Sequence, residues 1–464
     1  MLFRSFKISQ RKVLYCCFKK PLWDKEIRVA QLASYVSENS AYHHGEASLQ
    51  MAITAMAQNF VGSNNINLLK PIGQFGSRVH AGKDAASPRY IYTMLSAISR
   101  TLFNKEDTEI LRYLDDDGFL VEPEFYVPIL PMLLVNGAVG IGTGFSTNIP
   151  CYNPIDIIKI IKRLLSGEDI DHKNKDCDLK PYYQGFEGTI IKVNGKWTSK
   201  GLFKRTSPTK VEITELPIGV WTSDFKEMIE DRISDKDGKY KNNPIKSYES
   251  HYTTQKVRFI LNFNTSANLD EWLKPEGENL KIENELKLVS TKVLGVTNMY
   301  AFNERGQITK YETALHIIHA HFQVRMIYYK KRKEHILEKL AKETKKSNNK
   351  IRFVLDVIAN KIPVYKLRKS ELEATLADQK YDLYEDSYDY LTKIPIYNFT
   401  VDKVEELKDD IRKKETEIAD ITSFQESDMW RRELDVLEND YQQFLTLNRT
   451  KDDRPKVLRY KKKT

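Results

Sequence analysis

Beyond residue 314 the apolar side chains keep a helical rhythm that few folds satisfy. Ile318, Phe322, Met326, Tyr329, Ile336 and Leu340 follow one another at intervals of four, four, three, seven and four residues. Val404, Leu407, Ile411, Ile418 and Ile421 hold a heptad-like spacing, as do Trp430, Leu434, Leu437, Tyr441 and Phe444. Stripes this narrow and this long need a partner helix along their whole length. The intervening block, about 350–395, is apolar enough to bury a small core. The pattern predicts two antiparallel arms running to and from a terminal globular knob. A plain helical bundle meets the same spacing.

The rest of the chain is mixed. Leu49, Ile53, Met56 and Phe60 mark one face of a helix. After Asn64-Asn65 the sequence is broken by Pro71, Gly73, Gly76 and Gly82, which predicts loops and short strands. Ile91, Leu95, Ile98 and Leu102 predict a second helix with Tyr90 at its start, where free N–H groups suit a phosphate. Gly188–Val193, Lys210–Leu216 and Val257–Phe263 alternate apolar with polar, the signature of half-buried strands. The class expected is α+β, mainly helical.

Composition narrows function less than fold. With 464 residues, 41% hydrophobic and 30% charged, the chain has material for two to four domains. No apolar run approaches a membrane span, so no membrane partner is expected. Four cysteines, Cys16 and Cys17 adjacent, form neither a disulfide framework nor a zinc pattern, which fits a reducing interior compartment. The net charge of +9 is modest, but the first hundred residues concentrate it, with Arg4, Lys7, Arg11, Lys12, Lys19, Lys20, Lys25, Arg28, Lys70, Arg78, Lys83, Arg89 and Arg100. Such a patch suits nucleic acid and equally a solvated face.

Within that basic stretch stands Gly82-Lys83-Asp84-Ala85-Ala86-Ser87-Pro88-Arg89-Tyr90. A phenol is a weak nucleophile near neutrality, and an adjacent guanidinium favours phenolate and holds a phosphate oxygen as charge develops. Tyrosine is among the side chains that form covalent intermediates. The chain has 25 tyrosines, so spacing alone does not single out Tyr90.

The flanking segments do. Gln10-Arg11-Lys12, Val29-Ala30-Gln31-Leu32-Ala33, Tyr42-His43-His44-Gly45-Glu46, Gln58-Asn59-Phe60-Val61-Gly62-Ser63-Asn64-Asn65 and Pro71-Ile72-Gly73-Gln74-Phe75-Gly76-Ser77-Arg78 precede Tyr90. Glu122-Pro123-Glu124-Phe125-Tyr126-Val127-Pro128 and Asn136-Gly137-Ala138-Val139-Gly140-Ile141-Gly142-Thr143-Gly144 follow it. In this order they resemble the breakage-reunion region of eukaryotic-type type IIA DNA topoisomerases, those of large DNA viruses included. The match is dense from about residue 10 to 150 and looser through Glu215-Leu216-Pro217 and Lys310-Tyr311-Glu312-Thr313.

The resemblance implies a winged-helix domain over 1–130, an α/β tower over 131–300, coiled-coil arms with a dimerising gate over 301–450, and a basic tail over 451–464, expected to be disordered and to touch DNA nonspecifically. It implies that Tyr90 becomes linked to a DNA 5′ phosphate, that Arg89 steadies the charge on phosphorus, and that His44 lies near the scissile phosphate. Taken alone, a His-His pair more often caps or covers a surface. Lys7, Arg11, Lys12, Tyr42, His43, Ser48, Lys83 and Trp221 are implied DNA contacts, chiefly to the backbone, and such contacts carry no sequence information. Ile141 is implied to wedge between base pairs; by itself it also reads as a buried turn residue. The glycines around it lack a Walker lysine, which speaks against nucleotide binding.

Two parts that such enzymes use are missing from the sequence: an acidic Toprim domain for Mg²⁺ and an ATPase module. Asp115-Asp116-Asp117 is expected to be a solvated turn after a helix, and no metal site is expected here. The implied partners are double-stranded DNA, a second copy of the chain, and a Toprim/ATPase region in the same or a separate polypeptide. Alone, the chain is expected to bind DNA and dimerise but to cleave poorly. The implied location is a nucleus or a viral replication compartment. One alternative is a non-catalytic DNA-binding and dimerisation protein that keeps the scaffold. Another, a tyrosine recombinase, conflicts with the N-terminal placement of Tyr90.

Overall fold

A computed structural model of the chain describes residues 6–170, 179–235, 238, 240 and 243–450. The basic tail at 451–464 lies outside the described residues. Two compact units emerge, Met1–Arg325 with Arg431–Thr464 and Met326–Trp430. The cuts fall inside two helices, whereas the expected boundary at 301 falls before both.

The larger unit begins with a three-helix cluster, α1 (Ile8–Lys19), α2 (Val29–Asn39) and α3 (Glu46–Ala57). Val13, Leu14, Cys16, Leu32, Ala33, Val36, Leu49 and Ile53 are fully buried, which follows from helical faces turned inward. Helices α2 and α3 make a helix-turn-helix. Strand β1 (Ile27–Arg28) pairs antiparallel with β2 (Tyr92–Thr93), and the hairpin of β3 (Tyr113–Asp116) and β4 (Phe119–Pro123) forms the wing. The acidic triplet sits at this hairpin's tip, with Asp117 at φ 52°.

The expected helix from Tyr90 is not there. Tyr90 ends a turn, β2 follows it, and only Ile98–Leu102 (α4) is helical. All four periodic residues are buried, with Ile91, Leu95, Ile98 and Leu102 at most 3% exposed. Pairing decides the difference: Tyr92 and Ile72 exchange backbone hydrogen bonds at 2.9 and 3.1 Å, and Leu95 N donates to Leu22 O at 2.8 Å. Those partners hold the backbone extended, so the helix-terminus argument for Tyr90 lapses.

A short helix α5 (Met132–Val135) leads to the hairpin of β5 (Ala138–Gly142) and β6 (Phe145–Ile149), then to α6 (Pro154–Leu165). Two sheets follow. One contains β7 (Thr189–Val193) and β8 (Lys196–Lys200); the other contains β9 (Leu202–Ser207), β10 (Lys210–Glu215), β11 (Ile245–Ser250) and β12 (Phe259–Phe263) in the order β11-β12-β10-β9. Helices α7 (Thr222–Ser234), α8 (Ser266–Trp272) and α9 (Lys281–Glu285) supply the other side of a core that includes Val211, Ile213, Phe225, Ile229, Phe259 and Leu261. The three strands expected from alternation are present.

Helix α10 (Ala314–Ile358) opens inside the larger unit. There Arg325, with no exposed surface, donates to Asp107 Oδ2 and Val127 O, each at 2.6 Å. In the smaller unit α10 continues, α11 (Lys369–Asp378) and α12 (Asp389–Thr392) form the knob, and α13 (Val401–Ser423) returns to the start of α14 (Glu426–Thr450). Ile351 and Val354 pack on Val404 and Ile411. Further along, Lys414 pairs with Glu343 at 3.0 Å and Lys333 with Glu426 at 3.6 Å. These contacts run in opposite chain directions, which selects antiparallel arms over a plain bundle. Phe353, Ile362, Leu376, Tyr381 and Leu391 make the core of the knob.

Trp430 closes the arms. It has no exposed surface and stacks on Tyr329 with ring centroids 5.5 Å apart. Trp430→Ala is expected to cost about 3–5 kcal/mol, seen as a lower urea midpoint for loss of helical circular dichroism.

Candidate functional site

Tyr90 is held by its backbone and left free at its side chain. Ser87-Pro88-Arg89-Tyr90 is a turn closed by Tyr90 N donating to Ser87 O at 2.9 Å, with proline at the position that favours such turns. Two N–H groups of the first turn of α2 seize the same segment: Val29 N donates to Ile91 O and Ala30 N to Pro88 O, both at 3.0 Å. The ring emerges 77% exposed. Arg89, Ser87 and Lys83 are exposed beside it in sequence.

The loop before the turn is braced from within. Ser77 N and Ser77 Oγ donate to the two oxygens of Asp84 at 2.8 and 2.6 Å. Partial burial opposes ionisation of Asp84, but those bonds hold its carboxyl below the ordinary range. Gln58 Nε2 donates to Phe75 O at 2.9 Å and Gly82 O at 3.2 Å. At Gly76, φ is +95° and an added Cβ would lie 2.4 Å from Gly82 O, so only glycine lets these two backbones meet. Among the described residues the free cysteines are buried and poorly nucleophilic: burial pushes the thiols of Cys16 and Cys151 up to about 12.

Helix α3 presents Glu46, Ala47, Ser48, Met51 and Ala55 to solvent, so Ser48 lies on an open face of mostly short side chains. Just before it, His43 and His44 are exposed and Tyr42 is half-buried, its ring 5.4 Å from that of His44. His43 Nε2 is 3.4 Å from Asp116 Oδ2 of the wing. Lys7 is exposed at the head of α1.

Two expected DNA contacts turn inward. Arg11 is 2% exposed, and its Nη1 donates to Pro123 O at 3.1 Å and to Glu124 O. Lys12 is 8% exposed, and its Nζ donates to Ser40 O and pairs with Glu122 Oε2 at 2.9 Å. A buried cation needs a full set of acceptors, and these two find theirs within the wing and the end of α2. They fasten the helix cluster, and burial keeps both side chains away from a phosphate at the surface. Trp221, half-buried before α7, packs its ring on Phe60 and against Gly62.

Ile141 is 94% exposed on β5, across from Ser146, which removes the buried-turn reading. Val139 lies two residues away on the same face and is 63% exposed. The hairpin is firm: Asn148 N donates to Asn298 O at 2.8 Å, Asn298 Nδ2 to Ser146 Oγ at 2.9 Å, and Tyr300 N to Thr147 Oγ1 at 3.1 Å. A Cβ added at Gly140 or Gly142 would meet its nearest atom at 3.7 Å, an ordinary contact. Nothing inside the chain therefore demands glycine beside Ile141.

Some functional candidates escape a reading of the sequence. Exposed Arg28 donates Nε to Tyr92 Oη at 2.7 Å, a second guanidinium near the turn. Its β1–β2 pairing with Tyr92 is the missing signal. Arg78 belongs to a recognisable motif, yet its partner Glu215 lies 137 residues on. No three His, Cys, Asp or Glu side chains come together among the described residues in an arrangement able to hold a metal ion.

Residues 5–435 match the family model that describes the A subunits of DNA gyrase and topoisomerase IV. The chain is 38% identical over 470 residues to DNA topoisomerase 2 of Penicillium chrysogenum, covering 94% of this chain and 28% of that protein. Against DNA topoisomerase 2-alpha of Mus musculus it is 38% identical over 468 residues, covering 93% of this chain and 30% of that protein. The crystal structure of the Plasmodium falciparum topoisomerase II DNA-binding, cleavage and re-ligation domain matches with a TM-score of 0.88 and 36% identity, over 98% of this chain and 63% of that one. The chain thus spans about 28–30% of the length of these curated relatives.

The division into inward and outward cations is testable. Lys12→Ala leaves Glu122 buried without its partner and is expected to cost about 3–5 kcal/mol, with little change in the salt dependence of duplex binding. Lys83→Ala is expected to leave stability within about 0.5 kcal/mol and to lower the slope of log affinity against log salt by about 1. Denaturant melts and anisotropy titrations across salt concentrations separate the two.

Proposed function

Because the chain belongs to the family of the A subunits of DNA gyrase and topoisomerase IV, we propose that it forms the DNA gate of a type II DNA topoisomerase, with Tyr90 as the nucleophile. The observation that carries this reading is Tyr90 itself: 77% exposed, on a turn fixed by α2, beside an exposed arginine.

In the proposed reaction Tyr90 Oη attacks a backbone phosphorus. The Oη–P bond forms and the P–O3′ bond breaks; the phenol gives up its proton and the departing 3′ oxygen gains one. One phosphodiester is exchanged for another, so resealing is the same step reversed and needs no outside energy. Arg89, planar and permanently charged, holds the non-bridging oxygens as charge spreads over them. His44 donates to the oxyanion or relays the phenolic proton. Lys7, Tyr42, His43, Ser48, Lys83 and Trp221 are proposed to position the duplex, with Arg28 added to that set. Sequence preference then arises from how readily the DNA bends.

Ile141 is proposed as the wedge. Its exposure on a braced hairpin suits insertion between base pairs, and the glycines beside it leave the backbone open to a close surface. Cutting both strands requires two such tyrosines, hence a two-fold dimer. Mg²⁺ and ATP are proposed to act in the holoenzyme on a Toprim domain and an ATPase domain outside this sequence. A nucleus or a viral replication compartment is the proposed site of action.

Tyr90→Phe is expected to abolish covalent protein–DNA adducts on denaturing gels, with a Toprim-bearing partner and Mg²⁺ supplied, while duplex affinity stays within about twofold. Adducts that persist in the variant would overturn the assignment. Ile141→Ala is expected to reduce the bend reported by energy transfer between duplex ends; an unchanged bend removes the wedge.

A further inference from the structure

We propose that the buried ion pair of Arg78 and Glu215 positions the nucleophile loop, so that both are positioning residues for Tyr90. This rests on the assignment of Tyr90 above.

The pair is nearly sealed from water, with side chains 5% and 3% exposed. Arg78 begins the short 3-10 helix Arg78–His80, in the middle of the loop that ends at Tyr90. Glu215 is the last residue of β10 in the four-stranded sheet. Arg78 Nη2 donates to Glu215 Oε1 and also to Leu216 O at 3.1 Å. The same carboxylate accepts from Leu216 N at 2.7 Å and from Glu187 N at 3.2 Å. A second tie runs alongside: Ser223 Oγ donates to Val79 O at 2.7 Å from the first turn of α7.

This charge pair joins the loop to a separate sheet, alongside the Ser223–Val79 bond. The connection to Tyr90 is short. Arg78 adjoins Ser77, which Asp84 grips through both oxygens; Gly82 N donates to Ser77 O at 2.8 Å and Ala86 N to Gln74 O at 2.9 Å. Ala86 then feeds directly into the Ser87–Tyr90 turn. Anchoring residue 78 therefore sets where the turn begins. A buried ion pair is weak evidence for stability, since apolar replacements of similar volume are often neutral. Its presence here fits a demand for place, because the reacting oxygen must meet phosphorus in line and a small misplacement is costly.

The test uses the full chain. The double variant Arg78→Met/Glu215→Leu removes the pair without leaving a lone buried charge. Arg78→Gln/Glu215→Gln leaves a neutral hydrogen-bonding pair with no lone buried charge, and serves if the first double variant does not fold. Three readouts are taken: amide hydrogen exchange at residues 77, 82, 83, 86 and 90, duplex affinity, and the rate of adduct formation with a Toprim-bearing partner and Mg²⁺. Loop exchange is expected to speed up at least about tenfold and adduct formation to slow by about tenfold or more, with duplex affinity within about twofold and the melting temperature near that of the parent. A folded variant whose loop exchange and adduct rate match the parent overturns the proposal. If the parent itself forms no adduct, the nucleophile assignment fails, and the exchange data still decide whether the pair fixes the loop.

Discussion

The placement of Tyr90 depends on two backbone hydrogen bonds, from Val29 N to Ile91 O and from Ala30 N to Pro88 O. The first N–H groups of a helix have no partner within it. In α2 those donors are satisfied by the very turn that carries the tyrosine. The exchange fixes both elements: α2 gains a cap without a capping side chain, and the turn gains a rigid wall. Pro88 sets its own φ, and Ser87 closes the turn. Once these are in place the phenol has nowhere to go but outward.

The same economy governs charge. Arg11 and Lys12 stand in the basic stretch that suggests a polyanion partner, yet they spend their donors on Pro123, Glu124, Ser40 and Glu122. Arg78 and Arg325 behave likewise with Glu215 and Asp107. Burying a cation is tolerable only with such partners, so these residues tie distant segments together. Lys7, Arg28, Lys83 and Arg89 remain exposed. Counting basic residues therefore overstates the surface available to a phosphate backbone, and the exposed subset defines it better.

Much of the architecture was legible in the sequence because it rests on period. The face formed by Leu49, Ile53 and Met56, the strands at 189–193, 210–215 and 259–263, and the arms through Tyr329, Val404, Ile411 and Trp430 all follow the spacing of their apolar residues. Ile91, Leu95, Ile98 and Leu102 kept the same rhythm without making one helix, since pairing across residues 27–28, 72 and 22 outweighed local preference. Period reports which side chains go inside; it does not report which backbone they meet. The identities of Tyr90, Arg89 and Ile141 as candidates came from motif order, and their exposure came only from the fold. Arg78 shows the limit most plainly, because a partner 137 residues away leaves no local trace.

Reversibility links the braced loop to the exposed hairpin. In the proposed reaction a transient phosphotyrosyl bond is safe only if the released 3′ end and the tyrosine stay in register, which asks for a stiff nucleophile. A strained duplex asks for an apolar projection that does not yield. Both features sit on scaffolds stiffened by bonds from elsewhere in the chain: Gln58 and Glu215 for the loop, and Asn298 and Tyr300 for the hairpin. Each is supported by residues distant in sequence, so neither could be cut out as a short peptide and keep its geometry. The length of chain between Tyr90 and Glu215 is thus part of the proposed site, because it carries the sheet to which the Tyr90 loop is tied.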